Sequence, residues 1–391
     1  MHHTSSKRYQ QHQPEERMTI ASKLSANSTP VRLHLTNVAG TGASQLMQSL
    51  LPELERDPGV VVERIELPDR GKLADYRSSS PNTVAEVYRR RLPNALSRAL
   101  ECTWLASRFD GESPLLVLGD LPLRCRAPQT VFVQTSHLLK PARMRLNSNG
   151  IKYFISRTLF RMNMDRVRAF IVQTDVMRVA LVRSYPSLAG RVHVVAQPVP
   201  AWLLNSGLQR RSRVRTSGQM MNLIYPAAGY HHKNHALLSR IDVQDDWPVE
   251  QLILTLDSSA HPAPGLSWVQ CYGFLSPQEM IKAYSQVDAL LFLSKDESYG
   301  FPLVEAMHIG LPVVCPDLPY AHSLCGDQAI YFDPDSSRSL LDALNKLKNK
   351  LDQGWWPCWA GQMESIPKNW ETVARQMLAV ATGQKSAGNA G

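Results

Sequence analysis

The stretch Asp296-Glu297-Ser298-Tyr299-Gly300-Phe301-Pro302-Leu303-Val304-Glu305-Ala306-Met307 holds two carboxylates, Glu297 and Glu305, with seven residues between them. It follows an apolar run, Ala289 to Leu293, of the kind that forms a buried strand. Gly300 suits a tight turn, Pro302 the first position of a helix, and Gly310 the cap that ends it. A helix start carries unpaired N–H groups and roughly half a positive charge, which favours a bound diphosphate. Carboxylates would repel that diphosphate, so another task is implied: ionised acids accept hydrogen bonds from vicinal hydroxyls. A nucleotide sugar presents both kinds of group.

The elements that must position these residues alternate in type, strand-like apolar runs with helical patterns, which is the mark of parallel α/β architecture. In the first half the runs are Val31 to Val38, Val60 to Ile65, Leu115 to Leu118, Thr130 to Gln134, Ala169 to Gln173 and Val192 to Val195. In the second they are Met221 to Tyr225, Gln251 to Thr255, Trp268 to Tyr272, Ala289 to Leu293, Pro312 to Cys315 and Ala329 to Phe332. Between the halves, Arg210, Arg211, Arg213 and Arg215 sit among Ser, Thr and Gly without an acid, the composition of a linker. The expected organisation is a tail over 1–30, an acceptor-side Rossmann-like domain over 31–204, a linker over 205–219, a nucleotide-sugar-binding domain over 220–365, and a C-terminal segment over 366–391. The best-marked helix is Ser276 to Gln286, where Ser276, Pro277 and Glu279 form a capping box.

At 391 residues the chain exceeds what one core organises, and 43% apolar with 20% charged residues is globular composition. No apolar run approaches the ~20 residues that span a bilayer. The first thirty residues are polar and lack the apolar core of a signal peptide, so the expected location is cytoplasmic. The six cysteines show no C-x-x-C pair, which argues for buried, reduced thiols and against a disulfide framework or a zinc site. A net charge of +9 admits nucleic acid, an anionic membrane face or anionic small molecules as partners. No helix-turn-helix, zinc or RNA-recognition pattern accompanies it, so nucleic acid is not expected. Eight Lys or Arg between Lys140 and Arg168 face one acid, Asp165, and are interleaved with Ile151, Tyr153, Phe154, Ile155, Leu159 and Phe160. This basic amphipathic pattern fits either attachment to the inner face of a membrane or a solvated helix with one core face.

The pair Glu297 and Glu305 within E-S-Y-G-F-P-L-V-E-A-M, followed by G-L-P-V-V at 310–314, resembles the signature of glycosyltransferase family 4, the glycosyl transferases group 1. Y-P-A-A-G-Y-H-H-K-N-H (225–235), Y-G-F-L-S (272–276), D-A-L-L-F-L-S (288–294), Q-T-S-H (134–137) and Q-P-V-P (197–200) extend the resemblance in order over roughly 31–382. It implies a GT-B fold: two doubly wound Rossmann-like domains facing across a cleft, with a C-terminal helix, from about Asn369, crossing back to the first. It also implies a retaining, metal-independent hexosyltransferase with a nucleotide diphosphate sugar as co-substrate and no resident cofactor. The acceptor would be a glycan or lipid-linked glycan of cell-surface polysaccharide or lipopolysaccharide biosynthesis.

Carried over by position, the resemblance implies that Glu305 binds the nucleotide ribose and Glu297 contacts sugar hydroxyls near the reacting carbon. Backbone amides of Gly300, Phe301, Pro302, Leu303 and Val304 would hold the sugar and diphosphate, and Gly40 and Gly42 would approach the phosphates or acceptor. Lys233 would neutralise the leaving diphosphate, the main electrostatic demand without a metal, and His137 would lie beside the transferred sugar. The family pairs this Lys with an upstream Arg, but Ala227 and Ala228 stand there, so the second cation is missing or comes from Arg240 or the linker. That departure also leaves room for an inactive nucleotide-sugar-binding scaffold or a GT-B epimerase. Asp333-Pro334-Asp335 has the letters of a metal motif but follows the last strand and reads as a turn.

Overall fold

The computed structural model describes residues 28–384 apart from 39, 91, 93, 140–147, 213, 217 and 244–246. The tail expected over 1–30 therefore lies mostly outside the described residues, but Thr29 and Pro30 already belong to the first strand.

Two parallel sheets carry the chain. The first runs β3 (Val84–Val87), β2 (Val60–Leu67), β1 (Thr29–His34), β4 (Leu115–Val117), β5 (Gln129–Phe132), β6 (Val167–Val172) and β7 (Val192–Val194). The second runs β10 (Val269–Cys271), β9 (Val249–Leu254), β8 (Met221–Tyr225), β11 (Ala289–Leu291), β12 (Val313–Pro316) and β13 (Ile330–Phe332). All pairings are parallel. Helices must therefore cover both faces, which explains the unbroken apolar strands such as β11 and β12. The order reverses between β1 and β4 in one sheet and between β8 and β11 in the other. At such switch points a crevice opens outside the carboxyl ends of the strands.

The expected strands all form, within a few residues of their expected bounds, and one was missed. β3 is an exposed edge strand of four residues, Val84-Ala85-Glu86-Val87, too short to carry a periodic signal of its own. The helix Pro277–Gln286 begins with the capping box as expected, Ser276 accepting from the amide of Glu279 while Glu279 accepts from that of Ser276. Of the six cysteines, Cys358 is exposed and Cys271 half-buried, because both sit at sheet or helix margins; the other four are buried, and none is paired in a disulfide.

Within the residues expected as the linker, Arg210 and Arg215 bind the second domain. The Arg210 amide donates to Ile309 O and its guanidinium to Val287 O, while Arg215 pairs with Asp288 and Asp352. These arginines have acids and carbonyls to bind, supplied by elements distant in sequence.

The helix Trp370–Thr382 crosses back to the first domain. Trp370, Val373, Ala374, Met377, Leu378 and Ala381 enter the core beneath β1, and the Trp370 indole donates to Val199 O at 3.0 Å. No described helix is long and apolar enough to cross a membrane. Trp370→Ala should leave a cavity and an unpaired carbonyl, costing about 3–5 kcal/mol; urea unfolding followed by circular dichroism checks this, with the loss falling on the first domain's transition.

Candidate functional site

The loops after β8 and β11 flank the second sheet's switch point, and they bring Lys233 and Glu297 together. From β8 the chain turns through Tyr230 to His235; Tyr225, the last residue of β8, donates its hydroxyl to Lys233 O at 2.8 Å. Asn234 takes the left-handed conformation at φ 56° and ties this loop to Pro334 O. From β11 the chain passes Ser294 and Lys295, both bonded to His232 O, and enters the turn Asp296–Gly300. Lys233 Nζ donates to Glu297 Oε1 in an ion pair whose side chains are 15% and 12% exposed. Partly screened from water, a cation and an acceptor of hydroxyl hydrogen bonds sit side by side.

Gly300 adopts φ 93°, the left-handed region that glycine tolerates, and caps the helix Phe301–Ile309. Of the five amides expected here, Pro302 has none, and those of Leu303 and Val304 donate to Gly300 O at 2.9 and 3.4 Å. The side chains of Leu303 and Val304 are core. Gly300 and Phe301 therefore present the amides without a partner among the described residues, narrowing the expected anion cradle to two donors. Phe301 itself packs against the cores of both domains.

Glu305 lies one turn further in, 7% exposed, with the Tyr284 hydroxyl donating to its Oε2 at 2.6 Å. Burial pushes its carboxyl up to about 7, against the lowering effect of the Tyr284 hydrogen bond. It is thus neither a solvent-facing acid nor a partner of Lys233. Tyr284, which sequence reasoning missed, reads as an ordinary core position of its helix.

The first domain closes over the turn Asp296–Gly300. Ser136 Oγ donates to Asp296 Oδ2 at 2.7 Å, and Thr174 Oγ1 to Ser298 O at 3.3 Å. The buried Tyr299 hydroxyl donates to Gln197 O and accepts from its amide at 3.1 Å. His137, beside Ser136, stacks on Tyr153 with ring centroids 4.1 Å apart and meets His232 edge-on at 5.7 Å. Burial lowers the pKa of His137 and outweighs the opposing pull of Asp296. A neutral imidazole, a donor and an acceptor at once, thus faces the Lys233 loop.

Gly40 and Gly42 stand apart from this cluster. Gly40 caps and Gly42 opens the helix Thr41–Arg56 after β1, both exposed, with no described contact to Lys233 or Glu297. A Cβ at either would meet nothing within 4 Å, so local space does not require glycine there. Among the described residues, Arg240, Arg210 and Arg215 are bound elsewhere than at the pair. Arg240 donates to Asp335 O, and Arg210 and Arg215 bind Val287 and Asp288 at the opposite, amino end of β11. Asp333-Pro334-Asp335 is a turn, its Asp335 paired with Lys295.

Residues 263–353, which hold both glutamates but not Lys233, match the family described as Glycosyl transferases group 1. The chain is 20% identical over 345 residues to the O-antigen chain mannosyltransferase RfbU of Salmonella typhimurium, covering 82% of this chain and 91% of that protein. It is 26% identical over 136 residues to the serotype-specific mannosyltransferase WbdA of Escherichia coli, covering 33% of this chain and 16% of that one. Among solved structures, a sucrose-phosphate synthase from Thermosynechococcus elongatus aligns with TM-score 0.61 at 15% identity, over 92% of this chain and 100% of that one. WaaG, a glycosyltransferase involved in lipopolysaccharide biosynthesis, aligns with TM-score 0.58 at 15% identity, over 90% and 100%.

The raised carboxyl of Glu305 has a consequence for stability. Its folded value of about 7 exceeds the ordinary 4.5, so the folded chain holds a proton that the unfolded chain releases across that window. The cost of burying the charge grows as pH rises from about 4.5 to 7 and is complete above it, on the order of 3 kcal/mol. Glu305→Gln removes that dependence. Its melting temperature relative to the unsubstituted protein should be higher at pH 8 than at pH 5, as scanning calorimetry at the two values would register.

Proposed function

Taking the chain as a GT-B glycosyltransferase, the level at which its two-sheet fold and its Glycosyl transferases group 1 segment place it, we propose that it transfers a hexose, with retention, from a nucleoside diphosphate sugar to a glycan or lipid-linked acceptor. The observation that carries this reading is the Lys233–Glu297 pair beside the unpartnered amides of Gly300 and Phe301, all at the carboxyl end of the second sheet's switch point. The mannosyltransferases among the relatives favour mannose as the sugar and O-antigen or related lipopolysaccharide assembly as the setting.

In this reading the diphosphate lies against the two free amides and Lys233, and Glu297 turns from Lys233 toward hydroxyls of the transferred sugar. Glu305, held by Tyr284, accepts from the ribose hydroxyls. The bond between the anomeric carbon and the β-phosphate oxygen breaks as the acceptor hydroxyl attacks from the same face. The departing phosphate takes the acceptor's proton, so no protein acid need serve as nucleophile. Lys233 bears the charge that develops on the phosphate, and such stabilisation is worth ~3–4 kcal/mol. His137 orients sugar or acceptor hydroxyls. No described group of three or more His, Cys, Asp or Glu gathers at metal-ligand spacing, and the proposed reaction proceeds without a metal.

Lys233→Ala and Glu305→Ala should each lower turnover at least tenfold with the fold retained. Ordinary turnover in both variants would remove the site. Thermal-shift measurements in EDTA against UDP-, GDP-, ADP-, dTDP- and CMP-sugars should show stabilisation by one nucleotide family, lost in Glu305→Ala. Dependence on an added divalent ion would overturn the metal-free part. The one-bond carbon–proton coupling at the product's anomeric carbon, read by NMR, decides retention.

A further inference from the structure

A second polar site lies in the first domain, on the side of the helix Ser148–Asn163 that faces away from His137. A cavity of about 240 Å³ opens there beyond the carboxyl ends of β1 and β2, with Asn37, Arg70, Arg90, Arg98 and Lys152 among its walls. Three residues of this wall, Asn37, Arg90 and Arg98, each also bury a donor nitrogen, Nδ2, Nε and Nε, that has no hydrogen-bond partner among the described residues. The Arg90 side chain is only 8% exposed. Buried polar groups are rarely left under-satisfied, so a wall of cationic and amide side chains short of acceptors suits a ligand that brings them.

The charges agree. Arg90 is held in place by an ion pair: its Nη2 donates to Thr36 O, to Asn37 Oδ1 and to the fully buried Glu101 at 3.0 Å, leaving Arg98 and Lys152 as the uncompensated charges. Glu101 in turn accepts from Thr36 and bonds His34, and these contacts hold it charged despite its burial. Arg98 has only two long bonds, 3.5 Å each, to the carbonyls of Asn37 and Gly119, and no described ion pair. Lys152 has no described partner either. The acids facing the cavity are occupied or muted. Asp69 accepts from the Arg90 amide and from Arg70. Asp120, close enough to feel Arg98, is pushed toward its neutral form by burial.

We propose that this cavity binds a phosphate or diphosphate group of the acceptor, with Arg90, Arg98 and Lys152 as its cations and Asn37 as a neutral donor. The inference rests on the glycosyl-transfer reading for the word acceptor, but the anion site itself does not. One helix connects the two functions: Lys152, Ile155, Ser156 and Leu159 line the cavity, while Tyr153 and Arg157 hold the ring and carbonyl of His137. An acceptor anchored by its phosphate would place its remaining part along that helix toward the cleft. The phosphate has two chemical sources, a soluble phosphorylated glycan or a polyprenyl diphosphate. Exposed Ile155 on the cavity wall would contact only the latter.

The test is calorimetric titration of the full chain, first saturated with any nucleoside diphosphate that stabilises it so that the Lys233 site is filled, with inorganic pyrophosphate and, separately, with farnesyl diphosphate. Arg98→Gln combined with Lys152→Gln should weaken both at least tenfold, whereas Lys233→Ala should weaken neither. Folding of the double variant is checked by its melting temperature and by an unchanged thermal shift with the nucleotide that stabilises the parent. Farnesyl diphosphate binding at least tenfold more tightly than pyrophosphate, with the gain lost in Ile155→Ser, identifies a lipid-borne phosphate; equal affinities identify a soluble one. Binding lost only in Lys233→Ala, or absent from the folded parent, overturns the site. Pyrophosphate binding that depends on Arg98 in a protein that ignores every nucleotide would keep the anion site and dismiss the transferase reading.

Discussion

The turn Asp296–Gly300 is the place where the two domains grip each other and where Glu297 meets Lys233. Ser136, Thr174 and Gln197 of the first domain each hold a different residue of that turn, through Asp296, Ser298 and Tyr299. Single bonds of this kind contribute roughly 1 kcal/mol each. Three of them on one five-residue segment make the position of Glu297 depend on how the domains meet. Gly300 permits the geometry by its left-handed conformation, and Phe301 completes it by packing into both cores.

The C-terminal helix applies the same logic on a larger scale. The segment after β13 returns to the first domain and buries six residues there, so the two sheets are joined by the strap at 205–219 and by this crossing. Both connections are secured by arginine or tryptophan bonds to distant carbonyls. The resulting cleft is bordered by the carboxyl ends of both sheets, which is where parallel strands leave side chains and free amides available for ligands.

The two halves differ in how they handle charge. In the second domain a cation and a carboxylate neutralise one another at the cleft, so the site is balanced until a ligand separates them. In the first, Glu101 anchors Arg90 from beneath while Arg98 and Lys152 stay unopposed. The helix Ser148–Asn163 lies between the two arrangements. It has a core face through Leu159 and Phe160 and an exposed face with Phe154 and Met162, which combines both patterns its sequence suggested.

Much of the fold was legible in the residues. Apolar runs of strand length, the capping box at Ser276 and the Gly-Phe-Pro turn are local signals, and short-range sterics and backbone hydrogen bonding act on them in any context. β3 was illegible because four residues are too few to set a strand pattern apart from a loop. Glu297, Glu305 and Lys233 could be named as candidates by type, spacing and resemblance. Their environments could not. That Glu305 is buried against Tyr284 and that Arg210 and Arg215 serve the far end of β11 follow from residues tens of positions away. The sequence by itself determined the parallel α/β elements, their order and the types of group available for chemistry, because those depend on local periodicity. Only the tertiary structure decided which donors remain unpaired and which charges face each other, because desolvation and hydrogen-bond satisfaction are set by contacts between segments that the chain order leaves far apart.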